Sequence, residues 1–319
     1  MDKNILGIHH VTAIAGDPQK NVDFYVGILG LKFVKKTVNF DDPNTYHLYY
    51  GDEIGHPGTL LTFFPWSSRA HRGRKGAGQL TVFSFSIPYD SMGFWMDRLK
   101  RLNIQFDGPV ARFGEEVITG VDHDGFQFEL ITSSSDIRPG WENGSIPSKF
   151  AIRGFHSVTL SQIEYKPTAE ILSSSLGFRK LAETKNRFRF EVGNGGSGTF
   201  VDILLQPNVP RGSMGVGIVH HVAWRTPTDT LQLEVREILL KNGYDVTPVI
   251  DRNYFHSIYF HEPGGVLFEV ATDPPGFLID ERKEELGTGL MLPKQYEVYR
   301  NVLENTLTPL RTPEGTQSL

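Results

Sequence analysis

Two histidine pairs, His9-His10 and His220-His221, are the residues whose type and placement point first to chemistry. Each pair precedes a valine and sits in a run that reads as a strand: Gly7-Ile8-His9-His10-Val11-Thr12 and Ile218-Val219-His220-His221-Val222-Ala223. Side chains two apart on a strand share a face, so His10, Thr12 and Ile14 form one set and His221, Ala223 and Arg225 another. His9 and His220 face the other way unless twist at the strand start turns them inward. A neutral imidazole is a common metal ligand, and two at matching positions of a repeat are better candidates than any lone member of the 11 histidines. Glu269, in Val266-Leu267-Phe268-Glu269-Val270, supplies a third donor, because a carboxylate in an apolar strand is costly unless paired or bound to a cation. Two imidazoles and one carboxylate on a single face of iron(II) leave coordination positions open, and the same set suits manganese(II).

The elements that position these residues repeat along the chain. Gly154-Phe155-His156-Ser157-Val158-Thr159 is a third copy of the opening run. After the first copy, Asp17-Pro18 reads as a helix start with Asp at the N-cap and Pro at N1. An apolar stripe of Val22, Phe24, Tyr25 and Ile28 follows, then a stop at Leu29-Gly30 and a strand from Leu31. Residues 167–175 and Leu176-Gly177-Phe178 mirror this. With helices around 91–102 and 228–242, and three strand-like runs in each unit, the chain divides into four βαβββ units: 5–66, 79–135, 151–207 and 216–275. The fold class is α+β. A basic, glycine-containing segment, 67–78, reads as an exposed linker in preference to a lid. Residues 277–319 form an extension with a helical stretch over 294–307 whose apolar residues are spaced for one face, and an end frayed after Pro309.

Unit two has no opening histidine, and unit three has Ser157 where units one and four have His10 and His221. Glu129 matches Glu269 in repeat position, and both it and Asp202 read as structural. If His10, His221 and Glu269 share a metal, units one and four must form one half-barrel pair and units two and three the other.

Composition sets further bounds. The 319 residues carry a net charge of -5, which gives no electrostatic case for nucleic acid or an anionic membrane. Cysteine is absent, so thiolate metal sites, disulfides and cysteine nucleophiles are excluded. With no apolar leader and no run of 18 apolar residues, the expected location is the cytoplasm. Self-association into a homo-oligomer is left open.

Residues 252–269 carry a more specific pattern. Ile258, Tyr259, Glu262, Pro263, Gly265 and Glu269 fill the places of the signature of type I extradiol ring-cleaving dioxygenases of the vicinal-oxygen-chelate fold. Arg252 stands where the catechol-cleaving members carry a histidine. In this, and over residues 7–17, 24–43 and 289–297, the chain resembles the hydroquinone-cleaving branch. The resemblance implies iron(II) on His10, His221 and Glu269, with manganese(II) suited to the same ligands. It also implies a small aromatic substrate, dioxygen as co-substrate, and a pocket holding His9, Thr12, His220, Arg252 and Tyr259. Arg252, always cationic, could hold a phenolate. Tyr259 could donate to an oxygen, and His9 or His220 could shuttle protons, with His256 and His261 as rivals. Each has a plainer alternative: Arg252 as a surface ion-pair partner, Tyr259 as a core aromatic, His9 as an outer-face residue. A glyoxalase-like isomerase would need a fourth protein ligand, and residues 60–63 offer no carboxylate. A metal-free binding module would need no such triad.

Overall fold

Strands dominate the computed structural model, which describes residues 4–67, 69–142 and 144–311. They are β1 (Gly7–Ala15), β2 (Lys32–Asn39), β3 (Asp42–Gly51), β4 (Leu60–Pro65), β5 (Gln79–Pro88), β6 (Phe106–Arg112), β7 (Glu115–Val121), β8 (Gln127–Ser133), β9 (Gly154–Gln162), β10 (Arg179–Thr184), β11 (Arg187–Glu191), β12 (Phe200–Leu205), β13 (Ile218–Thr226), β14 (Ile250–Asp251), β15 (Phe255–His261) and β16 (Leu267–Pro275). They form two eight-stranded sheets, ordered β14-β15-β16-β13-β1-β4-β3-β2 and β10-β11-β12-β9-β5-β8-β7-β6. The first and last quarters of the chain thus share one half-barrel pair and the middle quarters share the other, an α+β architecture. The helices α1 (Pro18–Val22, continued by a π-helical turn over Asp23–Ile28), α2 (Met92–Arg101), α3 (Lys166–Ser174) and α4 (Asp229–Lys241) cover the sheets. Each buries one stripe: Trp95 and Leu99, or Val235 and Leu239, at the i, i+4 spacing of a helix face. Asp17 caps α1 as its sequence suggests, accepting from the Gln19 and Lys20 amides with Pro18 at N1. Among the described residues no helix is long and apolar enough to cross a membrane.

The central strands β1 and β9 are buried at every residue, as strands covered on both faces must be. Register within the first sheet sets up the site. β1 pairs antiparallel with β13, placing Thr12 opposite His221 and His10 opposite Ala223. β13 pairs parallel with β16, placing Glu269 beside Ala223. The three candidate ligands therefore lie on three neighbouring strands. The β1–β13 ladder has two irregularities, which leave His9 and His220 as the unpaired extra residues. A bulge re-aims the side chain it carries. This is how His9 and His220, which simple alternation sends to the outer face, come to lie against His10 and His221.

The second sheet repeats this plan with different chemistry. The register shifts fall at Thr81 and His156, the counterparts of His220 and His9. Ser157 and Val82 then occupy the positions of His10 and His221. The two carboxylates that remain, Glu129 and Asp202, are buried and compensated by guanidinium groups. Arg112 donates to Glu129 at 2.8 Å and Ser84 at 2.7 Å. Arg189 Nε and Arg187 Nη1 donate to Asp202 at 2.8 and 3.0 Å. Arginine holds here what a metal ion would otherwise have to hold.

Three segments differ from expectation. Strand structure in the run 246–250 is confined to Ile250, because Pro248 has no amide to add to a ladder; Thr247 keeps the segment in place through backbone and side-chain bonds to Tyr259. The linker 67–78 pairs with the equivalent linker of the other half, through bridges Arg72–Val216, Arg74–Ser213 and Ala77–Arg211. The C-terminal stretch is a 3₁₀ turn, Lys294–Tyr299, followed by α5 (Arg300–Thr306). In it Leu303 and Leu307 dock, while Val298, Tyr299 and Val302 stay exposed. Residues 312–319 of this extension lie outside the described residues. The extension is fastened by Lys35, fully buried, whose ammonium donates to Asp280 at 2.6 Å and to Glu281. Tyr296 donates to the Phe40 carbonyl at 2.8 Å, tying the extension to the β2–β3 hairpin tip.

Removing one partner of a buried ion pair strands the other charge. Arg187 still holds Asp202 in Arg189→Ala, so the cost in denaturant unfolding is expected at the low end of about 3–5 kcal/mol, and adding Asp202→Asn should recover part of that loss. Simple addition of the two losses would contradict this reading.

Candidate metal centre and active site

His10, His221 and Glu269 converge. The two Nε2 atoms are 3.2 Å apart, and Glu269 Oε2 lies 3.3 Å from the first and 2.9 Å from the second. All three side chains are buried, Glu269 completely. One oxygen of Glu269 is satisfied: Ser257 Oγ donates to Oε1. The other, Oε2, faces the two imidazoles yet has no well-formed hydrogen bond. Burial alone would raise the Glu269 pKa, but the flanking His10 and His221 hold it well below the usual carboxylate range, so it is an anion. Burial lowers the His221 pKa against the pull of Glu269. With both imidazoles neutral that compensation is lost, and an anionic oxygen without a well-formed hydrogen bond, 2.9 and 3.3 Å from two ring nitrogens, is then an expensive arrangement without a cation. The donor atoms fit one divalent ion, all lying within 4.8 Å of one another.

The histidine pairs complete this logic. His9 Nδ1 lies 2.9 Å from His10 Nδ1, and His220 Nδ1 2.7 Å from His221 Nδ1. An imidazole that gives its Nε2 lone pair to a cation carries its proton on Nδ1 and donates it outward. His9 and His220 must then accept on Nδ1, which leaves their own protons on Nε2. Burial, helped by His221, lowers the pKa of His220 to about 3, and burial with His10 holds His9 well below its ordinary value. Both are neutral, as acceptors of these bonds must be. Phe255 packs on His9 and His10, each at 5.0 Å between ring centres.

A cavity of about 440 Å³ opens onto this cluster. Its lining includes the aromatic rings of Phe64, Trp66 and Phe255, the hairpin tip 39–41, with Asp41 exposed, and Ile250 and Arg252. Arg252 Nε donates to Tyr259 OH at 3.1 Å, and Nη1 donates to Asp41 at 3.1 Å. Burial and the Glu269 charge push the Tyr259 pKa up, so its hydroxyl keeps its proton and can donate it into the cavity.

Of the residues singled out from sequence, His10, His220, His221, Arg252 and Tyr259 line this cavity. His9 is buried behind His10. Thr12 lies beneath the wall and is bonded to Thr62 at 2.8 Å. His256 is paired with Asp229 at the start of α4, away from the cavity, and His261 is exposed on β15. Among the cavity residues that escaped the sequence reading are His47 and Tyr49. Thr62 is 2.9 Å from His47 Nε2, and Tyr49 OH is 2.8 Å from His47 Nδ1, so a hydrogen-bonded chain runs from Thr12 to Tyr49. The repeat held a usable signal: Tyr49 opposes Thr62 in unit one as Tyr259 opposes Glu269 in unit four. Thr62 thus occupies the register position of the metal-site carboxylate and contributes none.

These features make a candidate mononuclear metal centre on a half-barrel of repeated βαβββ units. Residues 7–130 match the Glyoxalase/Bleomycin resistance protein/Dioxygenase superfamily. The chain belongs to that superfamily. It is 45% identical, over 98% of its length and 99% of the relative's, to a Bacillus subtilis protein designated a candidate ring-cleaving dioxygenase, MhqO. It is 32% identical, over 96% and 97%, to the chlorohydroquinone/hydroquinone 1,2-dioxygenase of Sphingobium indicum. A crystal structure of a candidate dioxygenase from Bacillus subtilis superposes with a TM-score of 0.93 at 44% identity, covering 98% of this chain and 99% of that one. Glyoxalase I from Zea mays shares the fold, with a TM-score of 0.62 at 16% identity over 84% and 92% of the chains.

Iron(II) or manganese(II) is expected to raise the thermal midpoint of the protein, and Glu269→Gln to abolish most of that rise. Ser257→Ala, which frees Glu269 Oε1, should keep the site but weaken metal affinity about 10–100-fold. Equal metal affinity in all three proteins would contradict the assignment.

Proposed function

We propose that this protein is an iron(II)-dependent dioxygenase that opens the ring of a substituted hydroquinone with dioxygen, placing both oxygen atoms in the product. The observation that carries the reading is the three-residue donor set, with the uncompensated Glu269 Oε2 at its centre, facing an aromatic-walled cavity that also holds Arg252 and Tyr259. The likeness to the hydroquinone dioxygenase supports the substrate class. Thr62, where a carboxylate would stand as fourth ligand, argues against a four-ligand isomerase centre. His10, His221 and Glu269 would hold the metal. Bound iron(II) would supply a centre through which electron density can pass from an electron-rich ring oxygen to dioxygen.

The chain's own residues do the remaining work. Arg252 is a permanent cation held in place by Tyr259 and Asp41, so it favours the ionised phenol and fixes its direction. Tyr259, kept protonated, donates to oxygen as negative charge develops there. His220 accepts from His221 and is committed as a donor through Nε2, so it orients its neighbour and does not act as a base in that state. Neutral His47, whose pKa is depressed by burial, is bonded to Tyr49 and Thr62 and can take up or return a proton at the cavity wall. Phe64, Trp66 and Phe255 exclude water and face the ring.

Anaerobically iron(II)-loaded protein is expected to consume oxygen rapidly with methylhydroquinone and slowly with catechol. Tyr259→Phe, which removes one donor, should lower kcat about 10²-fold or more, and Arg252→Met should chiefly raise KM for the hydroquinone. Rapid uptake with catechol alone would sink the substrate assignment, and no uptake with either by iron-containing protein would sink the reaction.

A further inference from the structure

A second, smaller cavity of about 240 Å³ also reaches the histidine cluster. It shares His220, His221 and Leu267 with the substrate cavity but is built from different elements: Leu80 at the start of β5, Val219 on β13 and Val266 ahead of β16. These three side chains are buried, and the outer rim carries Met214, 44% exposed, and the exposed His261. The lining offers little to a polar solute. Gln79 is committed, accepting from the Gly76 amide at 3.0 Å and donating to the Arg74 carbonyl at 3.3 Å. The Nδ1 atoms of His220 and His221 are bonded to each other. The buried walls formed by Leu80, Val219 and Val266 are apolar, and small apolar molecules occupy such spaces readily.

An aromatic substrate seated over the triad in the larger cavity narrows the way past it, and a second reactant that arrives afterwards gains from another way in. We infer that the Leu80–Val219–Val266 crevice is a separate access route and holding site for an apolar diatomic gas, leading to the His220–His221 side of the metal centre. That the gas is dioxygen rests on the function proposed above; the affinity of the crevice for small apolar ligands does not. Met214 forms the outer gate, and Leu80 sets the width of the inner passage.

The test uses two probes that need no turnover. Crystals pressurised with xenon should show a xenon atom in the crevice of the wild-type protein and none there in Leu80→Phe. In anaerobically iron(II)-loaded protein with methylhydroquinone present, nitric oxide should bind severalfold more slowly in Leu80→Phe and in Met214→Trp. Met214→Trp is a rim substitution that leaves the core intact, so it guards against a folding defect in Leu80→Phe. Xenon absent from the wild-type crevice, or nitric oxide rates unchanged in both variants, overturns the route. If both results hold while hydroquinones give no oxygen uptake, the route stands and the reaction assigned above falls.

Discussion

One oxygen atom, Glu269 Oε2, sets the terms for half of this molecule. It is completely buried, anionic and without a well-formed hydrogen bond, and it lies 3.3 and 2.9 Å from the ring nitrogens of His10 and His221. Leaving such a group uncompensated in an apolar sheet would cost more than any single contact nearby could return. A divalent cation resolves the conflict, and the surrounding structure is arranged as though for one. Ser257 satisfies the other carboxylate oxygen. His9 and His220 satisfy the outward nitrogens of the two ligand histidines. Phe255 packs the first histidine pair from above.

The second half-barrel shows the same problem solved by other means. It inherits the fold, the bulges and the two buried carboxylates, but not the paired histidines. Guanidinium groups from Arg112, Arg187 and Arg189 lie where compensation is required. Such groups fill space as well as charge, so Glu129 and Asp202 become fixed parts of a packed interior, whereas the Glu269 side keeps an accessible cavity. The division into a chemical half and a structural half follows from that exchange. The two linkers that join the units within each half of the chain pair with each other, and the C-terminal extension braces the hairpin whose tip lines the cavity.

Much of this was legible in the sequence because the unit is repeated. The recurrence of the opening strand, the glycine-terminated first helix and the final apolar strand set the α+β class and forced units one and four together once His10, His221 and Glu269 were read as partners. Two kinds of feature were not legible. The bulges at His9 and His220 are register events between strands distant in sequence, so a period-two reading placed these side chains on the wrong face. His47 and Tyr49 lie on an unremarkable strand, and their importance depends on Thr62 standing opposite. The π-helical turn after α1 has no evident cause in its residues. The apolar stripe of the extension misled in part, since Leu303 and Leu307 dock and their apolar neighbours face solvent.

The central claim is that a single metal ion sits between His10, His221 and Glu269. Anomalous difference density at the iron edge, from crystals of protein loaded anaerobically with iron(II), tests it most directly. The account expects one peak per chain, between the two Nε2 atoms and Oε2, and none among the arginines of the other half-barrel. An empty triad in iron-loaded crystals, or iron bound elsewhere, would contradict it.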